Sequence, residues 1–488
     1  IAARASARAG VRASTANPAS ISRAIIRAGS ISEGETSFRS PRQREAKAGA
    51  HCRRIMNKSS PGPELSALLI RLAHIVMLSS GWSRRLIAAG SGAVGCLALP
   101  PFDFPLALLV PMMVAVWLID GSPDGPVKGR RRLPGMGALV DGWWLGFGYF
   151  VAGLWWLGAA FLVEPEKFAW ALPIAITGLP AVLACFMATG MYLARALWCP
   201  GPGRIFALAA GLGASEWLRG IVFSGFPWNS LGMAFGGNLI LGQAASILGL
   251  HGLTFVAIAL CAAPATLADA PAKARRGPVR SIACSASGLA AAVLVSIVVF
   301  GNLRLASGTT EFDTGVRIRV VQPNVRQDSK FRPENKDLIL GQYLSLSDRA
   351  TSPSRSGLAD VTHLIWPESP FPFILSQDVQ ALGRIGAALG KTTLITGAAR
   401  AEARPGRSGS SYFNSVQVIS DRGTITDTYD KAHLVPFGEY LPAASLMELL
   451  GLRQLVQIPG GFEAAALDRK STRLNSSHIP LSRMPSSA

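Results

Sequence analysis

Charge is scarce in this sequence, and acidic charge most of all: 29 Asp and Glu stand against 48 Lys and Arg, and charged residues fill only 16% of 488 positions. A soluble domain carries roughly 25%, so much of this surface faces something other than water. Cysteine is sparse as well, with six residues at 52, 96, 185, 199, 261 and 284, no CxxC spacing, and none after Cys284. That pattern argues against a disulfide framework and a zinc site, and reads as buried, inert thiols in or beside apolar stretches. No basic-aromatic patch or binding motif accompanies the net charge of +19. The basic residues form short clusters between apolar runs and in both tails, which argues against nucleic acid as a partner. Residues 1–60 lack any sustained apolar period and are rich in Arg, Ala and Ser, with the first methionine at Met56. They are expected to be disordered and non-native, either a transit-type leader or translated upstream sequence.

What the chain does have is long apolar runs, near 86–101, 104–120, 137–163, 169–198, 204–222, 239–267 and 281–300. About 20 helical residues cross about 30 Å of hydrocarbon, so residues 86–300 are expected to form a membrane domain of about seven helices. The first two runs are short and share the turn Pro100-Pro101-Phe102-Asp103-Phe104-Pro105. A re-entrant hairpin is the alternative there. Lys and Arg concentrate in short cytoplasmic loops. Arg84 and Arg85, then Lys128 and Arg130 to Arg132, then Arg195 and Arg204, then Lys273, Arg275, Arg276 and Arg280 all fall on one side of such a bundle. An odd number of spans then delivers everything after Asn302 to the other side.

Beyond that point the pattern changes. Val316 to Val325 alternates and is rich in β-branched residues, as a strand is. Residues 363–366, 392–397, 413–420 and 424–429 read as further strands, with helices over 333–350 and 376–389 and a hairpin around Asp421-Arg422-Gly423. Strands alternating with helices and then a hairpin predict a layered α/β sandwich over 312–467.

Two stretches could carry chemistry. Trp366-Pro367-Glu368-Ser369 puts a carboxylate just after an apolar strand, where rigid supports commonly present functional groups. Such a glutamate can serve as a general base, or be an exposed loop residue. In Tyr429-Asp430-Lys431-Ala432-His433-Leu434-Val435-Pro436-Phe437-Gly438-Glu439-Tyr440, a lysine and a glutamate sit among aromatics and turns rather than on a solvated helix. A fixed ammonium can stabilise an oxyanion and a second carboxylate can orient it; a surface ion pair is the plain alternative.

LIWPES, YFNSV, YDKAHLVPFGEYLP and the apolar-region stretch EWLRGIVFSGFPWNSLG together resemble apolipoprotein N-acyltransferase, a membrane enzyme with a nitrilase-superfamily domain. The resemblance covers roughly residues 86–465. It implies an α-β-β-α sandwich after the membrane helices, in the bacterial inner membrane with the nitrilase-like domain periplasmic. It further implies a monomer that moves an acyl chain from phospholipid to the N-terminal diacylglyceryl-cysteine amine of apolipoproteins through a cysteine thioester, with no metal or organic cofactor. Glu368 is then the general base, Lys431 the stabiliser of the tetrahedral intermediate, Glu439 a supporting carboxylate and Asn414 a neighbour of the site.

The family's nucleophilic cysteine follows the lysine motif, and this chain has none there. After Leu467 the sequence turns abruptly to DRKSTRLNSSHIPLSRMPSSA, which resembles translated adapter sequence joined to a shortened reading frame. Residues 468–488 are therefore expected to be non-native, the domain incomplete, and this polypeptide inactive although its parent is an acyltransferase. His433 reads as structural and His251 as a satisfied interior histidine. Glu216 and Arg219, one helical turn apart, read as an intramembrane pair, with a lipid access path as the functional alternative. Phe223, Phe226, Pro227 and Trp228 read as interfacial aromatics. Two rival functions are a membrane-anchored amidase on a small nitrogenous substrate and a transporter or scaffold with an accessory domain.

Overall fold

A computed structural model describes residues 64–122, 135–162, 165–222, 225–269, 286–308, 311–326, 330, 332–350, 357–368, 370–403, 410–435, 438–440 and 461–465. The expected leader (1–60) and tail (468–488) lie outside these residues.

Each of the seven apolar runs holds a helix among the described residues, and one further helix precedes them. In order these are α1 Glu64–Leu78, α2 Gly81–Gly95, α3 Leu109–Asp120, α4 Met136–Leu154, α5 Leu172–Ala196, α6 Arg204–Arg219, α7 Ala245–Ala262 and α8 Ala286–Ser307. Three helical stretches are long and apolar enough to cross a membrane: Ala169–Ala196, Leu241–Ala268 and Ala286–Ser307, with mean hydropathies of 2.0 to 2.1. The other four runs give shorter or less uniformly apolar helices. α3 has 12 residues, while α2, α4 and α6 bury Arg84, Asp141, and Glu216 with Arg219, respectively.

Ion pairs show which helix ends meet. Arg84, at the start of α2, donates from Nε to both carboxylate oxygens of Asp141 early in α4 at 3.0 Å, and its Nη2 reaches the carbonyl of Leu118 at the end of α3. Arg204, at the start of α6, pairs with Asp120 after 3.2 Å and with Asp269 after 2.6 Å, and Trp198 donates to Asp120. Arg84, Asp120, Asp141, Arg204 and Asp269 thus gather at one end of the bundle, and α8 leaves the bundle at the opposite end, where Gly301 packs on Ile240. Between the ends, small residues set the helix spacing. A Cβ on Gly148 of α4 would lie 1.9 Å from the carbonyl oxygen of Ala89 in α2, and one on Gly92 would lie 2.0 Å from that of Leu145. In lipid, where apolar surface gains little by hiding, such backbone approach is how helices hold each other.

Two expectations are corrected in this half. Cys96 and Cys261 are buried, but Cys185 and Cys199 are exposed; in a lipid-facing helix the outer surface is as apolar as the inner one, so an apolar neighbourhood does not fix the side. His251 is likewise exposed rather than interior. It follows a break at Gly249, whose φ of 63° interrupts α7.

After α8 come β1 Ile318–Val320, α9 Lys336–Ser347, β2 His363–Ile365, α10 Val379–Leu389, β3 Thr393–Ala403, β4 Ser410–Ile419 and β5 Ile425–Asp430. They form one sheet in the order β1-β2-β3-β4-β5. β1, β2 and β3 are parallel, and β3, β4 and β5 antiparallel. Parallel neighbours need a crossover, which α9 and α10 supply. Only three residues of the strand expected over 316–325 pair, because Pro323 has no N–H for a ladder and Asn324 takes a φ of 51°. Asp378 caps α10 by accepting from the backbone N–H of Ala381. The hairpin turn falls where Asp421-Arg422-Gly423 predicts it, with Gly423 at a φ of 70°.

One sheet face carries Leu364, Leu394 and Ile419, which pack with Ile339, Leu340 and Tyr343 of α9 and Ala381, Ile385 and Leu389 of α10. The other face carries no further layer among the described residues and is partly apolar: Ile318 and Val416 are each 43% exposed, Tyr429 50% and Val320 71%. Of the sandwich expected from the sequence, the described residues hold one mixed sheet and one helical layer, and no second sheet occurs among them.

Candidate active site

The four residues singled out in the sheet domain come together on this partly apolar face, at one end of the sheet. Each is delivered by a different device. Trp366 continues β2 by donating its backbone N–H to Ile395, and its ring is buried against Tyr343 and Phe371, with Nε1 donating to Ser347 Oγ at 2.9 Å. That anchor fixes where Glu368 emerges two residues later. Asn414 projects from the middle of β4, opposite Ala399, so its position is set by the ladder. Lys431 directly follows β5, and its backbone N–H donates to the Asn414 carbonyl at 2.8 Å. Glu439 closes a turn onto itself: its N–H donates to the Val435 carbonyl, while its carboxylate accepts from the Val435 N–H at 2.7 Å.

The side chains then interlock. The Asn414 amide nitrogen donates to Glu368 Oε1 at 2.7 Å and to Glu439 Oε1 at 2.6 Å. The Lys431 ammonium lies 2.9 Å from Glu439 Oε1 and 3.5 Å from Glu368 Oε1. Exposure grades across the cluster: the Glu439 side chain is 10% exposed, Lys431 33% and Glu368 64%. Glu439 and Asn414 therefore form the floor, and Glu368 stands at the mouth with Lys431 between them.

Electrostatics assigns the protons. Partial burial opposes a charge on Lys431, but the hydrogen bond to Glu439 and the nearby carboxylates outweigh it and raise its pKa above the ordinary lysine value. Burial likewise opposes charge on Glu439, yet hydrogen bonds from the Val435 N–H, Lys431 and Asn414 prevail and lower its pKa. Lys431 is thus a fixed cation and Glu439 a fixed anion near neutral pH, which leaves Glu368 as the carboxylate most accessible to a substrate. The stabilisation from Glu439 is complete above the unfolded glutamate pKa and disappears as pH falls through its lowered folded value; that from Lys431 is complete below the unfolded lysine pKa and disappears as pH rises through its raised value. The unfolding midpoint of Glu439→Gln in detergent should therefore lie below wild type by a constant margin through neutral pH and converge with it only in acid. Convergence already at about pH 6, well above the ordinary glutamate value of about 4.3, would contradict the assignment.

Three features of the site were not visible in the sequence. Arg400 braces the cluster from the other sheet face, donating to both Asp430 oxygens at 3.0 and 2.6 Å, with Ser415 Oγ on the same carboxylate. Lys330 lies near enough to Glu368 to feel its charge, while burial lowers the lysine's own pKa. The segment 461–465 returns along the site: Phe462 N–H donates to the Glu439 carbonyl, Glu463 N–H to that of Tyr412 and Ala465 N–H to that of Lys431. His433 is exposed on the lysine loop. Among the described residues no three carboxylate, imidazole or thiol groups gather as metal ligands.

The Glu216 and Arg219 pair is found in the bundle, 3.5 Å apart and buried. Glu216 also accepts from Ser230 Oγ and the Leu231 N–H, and Arg219 donates to the carbonyls of Phe226 and Trp228 at 2.6 Å. Both residues therefore hold the loop that carries the aromatics; Trp228 is 45% exposed and packs on Trp156 and Phe226. Phe223 lies outside the described residues.

An apolar helical bundle followed along the chain by a sheet domain, which carries a partly buried cluster of two glutamates, a lysine and an asparagine, is the make-up of a membrane-associated protein with a second, mixed α/β domain. Residues 91–263 match the family model described as the apolipoprotein N-acyltransferase N-terminal domain. The chain is 46% identical over 397 residues to the apolipoprotein N-acyltransferase of Rhodopseudomonas palustris, covering 81% of this chain and 72% of the relative. It is 45% identical over 401 residues to that of Bradyrhizobium diazoefficiens, covering 82% and 73%, and 42% identical over 404 residues to that of Brucella suis, covering 81% and 73%. The chain belongs to the apolipoprotein N-acyltransferase family.

Proposed function

We propose that the Glu368, Asn414, Lys431 and Glu439 cluster is the acid-base half of an acyl-transfer site, moving an acyl chain from phospholipid to the N-terminal diacylglyceryl-cysteine amine of apolipoproteins. The observation that carries this reading is the shared hydrogen bonding of the four side chains at a sheet end. Making an amide from an unstrained ester is eased by splitting the transfer through a covalent intermediate. Glu368 takes the proton of a cysteine thiol, the thiolate attacks the ester carbonyl, and the tetrahedral oxyanion lies against the Lys431 ammonium. Collapse releases the lysophospholipid alcohol, which recovers the proton from Glu368, and leaves a thioester. The amine then attacks the thioester, Glu368 accepts its proton, and the thiol is regenerated as the amide forms. Glu439 keeps Lys431 charged and aimed; Asn414 holds the two carboxylates at a fixed separation.

This half of the site lacks its nucleophile, since these 488 residues hold no cysteine after Cys284. We place the site on the far side of the membrane from the basic loops, in a nitrilase-like domain whose second sheet would cover the partly apolar face, and take the polypeptide as it stands to be inactive. The backbone pairing of Phe462 and Ala465 with Glu439 and Lys431 holds this segment against the cluster. The test compares this chain with a chimera that continues after Ala465 with the corresponding C-terminal sequence of the Rhodopseudomonas palustris relative, both in phospholipid vesicles. Hydroxylamine-sensitive acyl-enzyme should form on the chimera alone and pass to a diacylglyceryl-cysteine peptide. Acyl-thioester on the original chain would overturn the assignment of the nucleophile, and a chimera that hydrolyses small amides without acylating the peptide would favour the amidase.

A further inference from the structure

The helix that apolar runs did not flag has a specific place. α1 is 15 residues long, about 22 Å at 1.5 Å per residue, and too short for about 30 Å of hydrocarbon. Its C-terminal end is fixed at the bundle end where Arg84 and Arg204 form their ion pairs: the backbone of Met77 packs on Gly121 after α3, and Arg84 reaches the Val76 carbonyl. No described element makes more than a few close backbone approaches to it, so it sits at the margin of the bundle rather than among its central helices.

At about 100° per residue, its side chains divide into three faces. Leu69, Ala73, Val76 and Met77 pack against the bundle core. Leu68, Leu72 and Ile75 form a second face and are 52%, 40% and 60% exposed. Arg71 and His74, both exposed, lie on a third face, on the opposite side from the boundary between the other two; Leu78, 82% exposed, joins them only at the last residue of the helix, where the chain turns toward α2. We infer that α1 lies in the plane of the membrane surface at this end of the bundle, with Leu68, Leu72 and Ile75 in the acyl-chain boundary and Arg71 and His74 toward headgroups and water. Bundle and lipid then share the lower side of the helix and water the upper side, the arrangement an interfacial amphipathic helix requires. The apolar face continues into Trp82 and Leu86 at the start of α2, 64% and 66% exposed. Arg85 lies over the Trp82 ring at 4.8 Å, a basic-aromatic pairing suited to the membrane-water boundary. The occupant of the exposed face is lipid, and the basic edge suits anionic headgroups.

This inference does not depend on acyl transfer, and its test reads depth alone. Nitroxide labels are placed singly at Leu68→Cys, Leu72→Cys, Ile75→Cys and His74→Cys, with Cys52, Cys185, Cys199 and Cys284 replaced by serine. The protein is reconstituted in vesicles of phosphatidylethanolamine and phosphatidylglycerol, and accessibility to oxygen and to a water-soluble relaxant is measured. Positions 68, 72 and 75 should share one shallow depth, with 74 in water. A span would instead change depth by about 10 Å between 68 and 75. That gradient, or full water exposure at all four positions, would overturn the inference.

Discussion

Lys431→Met in the chimera is expected to slow acyl-thioester formation by about 10²- to 10³-fold, the range found when one oxyanion-stabilising group is removed, while phospholipid binding changes little. The reason lies in the pair geometry. Lys431 is held charged by Glu439 at 2.9 Å and by Glu368 at 3.5 Å, so it meets developing negative charge without reorganising. Glu368→Gln should show a different defect, since it removes a base rather than a cation. Its acylation rate should recover as pH approaches the ordinary thiol value of about 8.5, whereas that of Lys431→Met should not. Single-turnover acylation across pH separates the two roles. Equal recovery in both variants, or no loss in Lys431→Met, would remove the lysine from the chemistry.

Asp141→Ala is expected to destabilise the helical bundle by about 3–5 kcal/mol, the usual consequence of stripping one partner from a buried ion pair. Arg84 would keep its place near the carbonyls of Val76 and Leu118 but lose the carboxylate that neutralises it, and an unpaired cation near lipid is costly. The double variant Arg84→Met with Asp141→Leu should recover most of the loss, because the pair is removed with its desolvation. Unfolding in mixed micelles measures both. A single variant as stable as the double would mean that the pair contributes nothing beyond packing.

The helices α2 to α8 were legible because a membrane span is specified mainly by length and apolarity, both of which a sequence displays directly. α1 escaped for the same reason: Arg71 and His74 interrupt it and it is too short to be counted. Inside and outside were less legible. Cys185 and His251 sit in apolar sequence yet are exposed, since a helix in lipid is apolar all round and its buried side is chosen by close contacts such as Gly148 on Ala89. In the sheet domain the strands after β1 were read from alternation and turn residues, whereas Pro323 cut the first one short. Glu368 and Lys431 are separated by 63 positions, and nothing in their spacing brings them together. Their roles came from resemblance, and their proximity from the β2-β3-β4-β5 order. The bridging amide of Asn414 could be named in advance, but its two simultaneous donations could not.

The partly apolar sheet face has a consequence for how such a chain is made and kept. Val320, Val416 and Tyr429 form an adhesive surface, and β1 and β5 are the sheet's two edges. Exposed in this way, the face invites sticking to detergent, to the bilayer or to its own copies. Recovery during purification is then governed by the sheet domain rather than by the hydrophobic helices, which lipid already satisfies.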